Sequence, residues 1–329
     1  MKKIKKIMTL ILSFIMVATM SGCKSKDSSR KDTEITTINV AYQYGLAYAP
    51  LIIVQQNKII ENAYKEATGK EVKVVWTQMS SGADINVAIA SGNIDVGFMG
   101  IAPAISGVMN DVGYKIFTNV SGQEHGIVSN DKSVKGLEDL VGTDRQIALV
   151  NLGSIQHIIL ARALKNAGYD AHALDSNIVV MKHPDGMTAL QSGNVSCQLT
   201  TNPYIYKERE DDKLYEIDAL SEVWTKDNSF IVGVASEKVY KNDKLYDVLC
   251  SAFSEGIEYI NNDVEKAAAI TYEYDGNSLE DEIKYIQKGT YSVETTGVFE
   301  LAVFMAEEGF IDKAPDNYEC LVYDNVKGD

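Results

Sequence analysis

Cysteine and histidine are scarce in this chain, with four of each among 329 residues. The cysteines, at 23, 197, 250 and 320, are too far apart for a zinc site and too few for a disulfide-stapled scaffold. Cys197, Cys250 and Cys320 read as small apolar side chains, an odd set left once Cys23 is given another role. His125, His157, His172 and His183 are scattered without metal-ligand spacing, so the sequence calls for neither a metal nor a cofactor. No Gly-x-Ser-x-Gly elbow, Gly-x-x-x-x-Gly-Lys loop or Gly-x-Gly-x-x-Gly turn occurs. The paired acids Glu138-Asp139 and Asp211-Asp212 sit in polar surface stretches, where solvation accounts for them. No catalytic residue is assigned, and the expectation is a protein that is not an enzyme. Lysine and arginine form no downstream cluster, and 46 acidic residues outnumber 31 basic ones. A formal charge of −15 repels a phosphate backbone and excludes nucleic acid as a partner.

A long apolar run is also lacking, apart from one at the start. Lys2, Lys3, Lys5 and Lys6 precede an apolar stretch from Ile7 to Met20, shorter than the roughly 20 residues of a spanning helix. Residues 1–22 are therefore expected to be a signal peptide that is removed, taking four positive charges with it. Met20-Ser21-Gly22-Cys23 resembles a bacterial lipobox, with Met20 where leucine is usual, so Cys23 is expected to accept a lipid and hold the exported protein on the outer face of the cytoplasmic membrane. Residues 23–34, rich in Ser, Lys and Asp, read as a solvated tether.

From Ile35 onward, short β-rich runs alternate with helical patterns, the signature of βαβ units. Strands are expected near 36–42, 71–76, 94–99, 114–120, 145–150, 177–182, 195–200 and 230–235. Ile89-Ala90-Ser91-Gly92-Asn93-Ile94-Asp95 recurs as Leu190-Gln191-Ser192-Gly193-Asn194-Val195-Ser196. Each copy is followed by a proline, Pro103 or Pro203, placed to open a helix. The repeat implies two similar α/β lobes. From Asp243 to Phe310 the pattern is helical, with Leu245, Val248, Leu249, Ala252 and Phe253 on one stripe and Gly256 near its end. The roughly 300 residues after the signal segment suit two cores, arranged as lobe I over 35–128 and 226–329 and lobe II over 129–225. Two crossings between them make a hinge around a cleft.

In open α/β sheets, ligands sit beyond the carboxyl ends of strands, beside helix N-termini. That rule selects Ser80, Ser81 and Gly82 in one lobe and Asn151, Gly153 and Ser154 in the other, where hydroxyls and free N–H groups suit an anionic oxygen. Gly100 and Ile101, and Thr201 and Asn202, are the corresponding loops one strand later. Gln43 and Tyr44 after the first strand form a third wall. Gln123 and His125 lie at the expected crossing, where a protonated His125 would add positive charge.

The ordered set Val40-Ala41-Tyr42-Gln43-Tyr44-Gly45, Ala49-Pro50, Ser80-Ser81-Gly82, Ala90-Ser91-Gly92-Asn93-Ile94-Asp95, Gly97-Phe98-Met99-Gly100, Ala102-Pro103, Gly153-Ser154 and Asn202-Pro203-Tyr204 resembles the solute-binding proteins of nitrate, sulfonate and taurine-type ABC importers. It extends over about 40–310. The resemblance implies a type II periplasmic-binding-protein-like α/β fold, each lobe a mainly parallel sheet flanked by helices, with a C-terminal helical segment. It further implies capture of a small organic anion and its delivery to an ABC transporter permease. Family members often carry an acid where Asn202 stands, which weakens any carry-over of amine recognition. The family also includes carriers of thiamine pyrimidine precursors and, more distantly, pyrimidine-precursor synthases, whose cysteine-rich run is missing here. A flat pyrimidine would call for the tyrosines and Trp224 in the cleft.

Overall fold

The computed structural model describes residues 35–329; the expected signal segment, Cys23 and the tether lie outside the described residues. The strands are β1 (Thr37–Tyr42), β2 (Lys73–Gln78), β3 (Val96–Gly100), β4 (Tyr114–Ser121), β5 (His125–Ser129), β6 (Ile147–Leu149), β7 (Ile178–Val180), β8 (Cys197–Thr201), β9 (Tyr215–Ile217) and β10 (Ile231–Ser236). The helices are α1 (Ala49–Gln56), α2 (Ile59–Thr68), α3 (Gly82–Ala90), α4 (Ile101–Met109), α5 (Ile155–Asn166), α6 (His183–Gln191), α7 (Tyr204–Arg209), α8 (Glu237–Tyr240), α9 (Asp243–Asn262), α10 (Val264–Asp275), α11 (Leu279–Ile286) and α12 (Val298–Glu307). Among the described residues no helix is long and apolar enough to cross a membrane.

Two five-stranded sheets share one plan. The first runs β2-β1-β3-β10-β4 and the second β7-β6-β8-β5-β9. In each, three strands are parallel and the fourth in order is antiparallel to both neighbours. Strands β3, β5 and β8 are buried along their whole length, and β3 accordingly reads as an apolar run without alternation. The Ser-Gly-Asn repeat closes α3 and α6 in the same way. Gly92 and Gly193 take φ of 74° and 77°, and the next residue's N–H returns to Ala88 O at 2.9 Å or Ala189 O at 2.8 Å. Only glycine adopts that left-handed backbone without cost.

All eight expected strands form. β5 and β9 were not expected, being short, with Gly126 interrupting the first. His125–Ser129 pair with β8 and β9, so the chain passes from the first sheet to the second over Gly122–Glu124. Gly256 does not end its helix either: α9 continues to Asn262. A Cβ at Gly256 would come within 2.8 Å of Pro50 O, so the glycine lets α9 lie close on α1.

The C-terminal helices do return to the first sheet. α9 packs on α1, α2 and β4, and the chain beyond it bridges β4 at Ile116–Val322 and the residue just past β4 at Gly122–Thr290. Phe253 of α9 meets Phe98 of β3 with ring centroids 4.5 Å apart and Phe117 of β4 at 5.9 Å. Between those two strands Gly233 leaves room for the rings, since a Cβ there would lie 2.6 Å from Phe98 and 2.7 Å from Phe117. Phe253→Ala should remove about 3–5 kcal/mol of stability, seen as a lower urea midpoint. An unchanged midpoint would mean that α9 is not part of the first core.

Candidate functional site

The carboxyl ends of β1, β2 and β3 face those of β6, β7 and β8 across a narrow cleft that is partly open to solvent. From the first side Gln43, Tyr44, Ser80, Gly82 and Gly100 reach it; from the second, Asn151, Ser154, Thr201 and Asn202 do. Ser81, Ile101, Gln123, His125 and Gly153 are expected site residues that the structure places off the wall of the cleft. The wall also holds Tyr48, Gln156, Lys182, His183 and Phe230, which the loop rule did not select. The two sides touch. A Cβ on Gly100 would lie 3.5 Å from Ile155 Cγ2 of α5, and the Lys182 ammonium stands 5.2 Å above the Tyr44 ring.

The two helix N-termini are not equivalent. Ser81 caps α3 by accepting Asp84 N–H at 3.1 Å, and its own hydroxyl donates to Asp84 Oδ2 at 2.8 Å. That terminus therefore already holds a carboxylate of the chain. Ser154 caps α5, accepting the His157 N–H at 3.3 Å, and is buried in the cleft wall with no acceptor for its hydroxyl proton among the described residues. The N–H groups of Ile155 and Gln156 in the same first turn have no helical acceptor. The first turn of α5 therefore keeps free donors where that of α3 holds a carboxylate, and the expected symmetry between the two helices does not hold.

The other expected residues divide by their hydrogen bonds. Tyr48 O–H donates to Gln43 Oε1 at 3.1 Å, which leaves the Gln43 amide N–H groups as donors. Ile101 is buried, and its N–H donates to Phe230 O at 2.8 Å. Thr201 donates to Glu124 O at 2.8 Å. Asn202 spends both amide protons, on Gln123 Oε1 at 2.9 Å and Tyr285 O at 2.8 Å. Its Oδ1 is buried without a partner. Gln123 stands behind Asn202, and Gly153, at φ 75°, donates its N–H to His157 Nδ1 at 3.0 Å.

His125 carries no charge to the cleft, contrary to expectation. It is enclosed in β5 between Trp224 and Phe230, and burial pushes its pKa down to about 3. Its Nδ1 donates to Gln123 O and its Nε2 accepts from Gln156, so it steadies a cleft residue from behind. His183, also neutral, is pushed down to about 4 by burial and lies against Tyr204. Trp224 belongs to a separate hollow with Glu124, Arg209 and Glu216, where Arg209 is paired to both acids.

Sequence spacing separates His157, His172 and Asp175, but the fold brings them together, with candidate ligand atoms within 4.8 Å of one another. Their hydrogen bonds oppose a metal. His157 Nδ1 accepts from Gly153, so Nε2 carries the proton and gives it to Asp175 Oδ1 at 2.8 Å. A metal there would need an imidazolate.

The buried neutral His125 has a measurable consequence. Between about pH 3 and 6.5 the unfolded chain binds a proton at this position that the folded chain refuses, so stability falls as pH falls, by about 1.4 kcal/mol per unit well below 6.5. His125→Gln should flatten the dependence by that amount in urea unfolding from pH 7 to 4.5. Parallel curves for the two proteins would show that His125 is not held neutral.

Comparison with known proteins places this geometry. The chain is 26% identical over 179 residues to the taurine-binding periplasmic protein of Escherichia coli (strain K12), covering 54% of this chain and 52% of the relative. It is 25% identical over 171 residues to the putative aliphatic sulfonates-binding protein of the same organism, covering 51% and 50%. The chain thus spans about half the length of the curated relatives it matches. Among solved structures it is similar to the alkanesulfonate-binding protein SsuA from Xanthomonas axonopodis pv. citri bound to MOPS, with a TM-score of 0.72 and 14% identity over 90% of this chain and 100% of that one. That likeness establishes the periplasmic-binding-protein fold. The sequence matches the family along residues 31–272, well over half its length, and the chain belongs to the NMT1-like family.

Proposed function

We propose that this chain is an extracytoplasmic solute-binding lipoprotein of an ABC importer, which takes a small organic anion such as an alkanesulfonate or a taurine-like compound into the cleft and passes it to the permease. It performs no chemistry on that ligand. β1–β4 and β10 with their helices form one lobe, β5–β9 with theirs the other, and ligand binding closes the two.

The observation that carries this reading is the vacant donor set at α5. Ser154, Ile155 and Gln156, whose hydroxyl and first-turn N–H groups have no acceptor among the described residues, line the cleft together with Lys182 and Gln43. A sulfonate, with three acceptor oxygens spread over a compact anion, matches several fixed donors at once. The unpartnered Asn202 Oδ1 offers a lone pair at the other end, suited to an N–H or O–H of the ligand. Trp224 lies outside the cleft, which leaves a flat pyrimidine without one of the rings it would stack on.

Titration calorimetry with taurine and ethanesulfonate tests the site. Ser154→Ala should lose one charge-assisted hydrogen bond, about 1.5–3 kcal/mol of affinity. Ser81→Ala should keep its affinity while losing about 1 kcal/mol of stability as an ordinary cap. Lys182→Gln should bind more weakly and with a smaller dependence on salt. Equal affinities for wild type and Ser154→Ala, or no heat with any sulfonate, would sink the anion site. For the anchor, Cys23→Ala should release the protein from membranes of a producing bacterium into the soluble fraction. Retention of the variant in the membrane fraction would refute lipidation.

A further inference from the structure

The helix that presents Ser154 to the cleft is tied, away from it, to the opposite side of the molecule. α12 packs on α4, which covers the first sheet, whereas α5 lies between two strands of the second. Arg162 of α5 pairs with Glu300, and Lys165 Nζ lies 3.1 Å from Glu308 Oε1. Phe310, just past α12, packs against His157 and His172 with ring centroids 5.1 Å and 4.9 Å away.

Hydrogen bonds connect these groups without a gap. Gly153 N–H donates to His157 Nδ1, and His157 Nε2 donates to Asp175 Oδ1. His172 Nδ1 donates to Asp175 Oδ2 at 2.8 Å, and its Nε2 donates to the backbone oxygen of Glu308 at 2.8 Å. Carboxylate and carbonyl oxygens only accept, so an imidazole bonded to both is protonated at both nitrogens. The chain of bonds begins in the Asn151–Ser154 loop and ends on Glu308, the residue that follows α12.

We infer that His157, Asp175 and His172 form a proton-dependent clasp, which holds the cleft shut by tying the ligand loop of the second sheet to the end of α12. The inference rests on the two-lobed reading above and adds a control on it. Loss of one proton from His172 removes one of its two donated bonds and loosens the closed form.

The surroundings of His172 set the direction. Its own turn supplies Asp170 and Asp175, α5 supplies His157 and Lys165, and α12 is followed by Glu308, whose carboxylate is occupied by Lys165. The Glu308 carbonyl first, and then the Asp175 carboxylate, hold the His172 pKa above its ordinary value. The closed form therefore binds the proton more tightly than a form in which these bonds are broken. The clasp is complete below about pH 6.5, the unperturbed value, and is lost as pH rises through the raised one.

Small-angle scattering on the unliganded protein, with histidine NMR alongside, tests this. The radius of gyration should be constant below about pH 6 and rise in one step above 6.5, at the midpoint where His172 titrates. His172→Gln, which keeps a donor for Glu308 but has no proton to lose, should abolish the step. Asp175→Asn should lower the His172 midpoint and move the step with it. A step that stays in place in Asp175→Asn, or a pH-independent size in a protein that still contracts on adding taurine or ethanesulfonate, overturns the clasp alone. A size that responds to neither pH nor sulfonate overturns the two-lobed closure together with it.

Discussion

The late return of one strand governs the whole arrangement. β10, which follows the second sheet in sequence, is inserted between β3 and β4 of the first; β5, which follows the first sheet, is inserted between β8 and β9 of the second. Buried backbone N–H and C=O groups must be paired, so the first sheet is not continuous until β10 has come back from beyond the second, whose five strands are consecutive in sequence. The crossings at 122–124 and 218–230 are thereby fixed side by side. Phe230 shows the constraint locally. Its N–H donates to Ser121 O and its carbonyl accepts from Ile101 N–H, which fastens β10 to both neighbours where the ring enters the cleft wall.

Within that frame, the chemistry of the cleft is decided by small differences between two similar halves. Both present a strand, a serine cap and a helix. In the first, Asp84 at the third position of α3 turns the hydroxyl of Ser81 inward and fills the positive end of the helix with the chain's own carboxylate. In the second, His157 occupies the third position and looks away toward Asp175, so Ser154 keeps its proton for the cleft. In a protein of net charge −15, the proposed anion would depend on fixed dipoles and a single lysine acting at short range, where the diffuse negative surface is screened.

Periodicity made the strands and the repeat legible, and the loops after β1, β2, β3, β6 and β8 followed from the rule that ligands sit at carboxyl edges. What the sequence hid was orientation. Nothing in Gly122-Gln123-Glu124-His125 tells that the chain enters a buried strand at its last residue, since a histidine flanked by glycine and glutamate reads as loop. Lys182 and His183 follow β7, which ends at Val180, two residues before its expected end, so Lys182 reads as strand and not as loop. Ser81 and Ser154 look alike until the residue three positions on is asked what it does with the hydroxyl. Gly256 misled for a related reason, because a glycine required for close helix contact has the same letter as one that ends a helix.

The late arrival of β10 has a consequence for how the chain comes to be folded. Residues 96–121 provide β3 and β4 with a gap between them that only residues 231–236 can fill. Over the hundred or so residues made in between, both strands carry open hydrogen-bonding edges, an invitation to pair with another chain. Contacts so distant in sequence also form slowly. Under the proposed export, a first half unable to close on itself is an advantage: it stays threadable until its last third has followed.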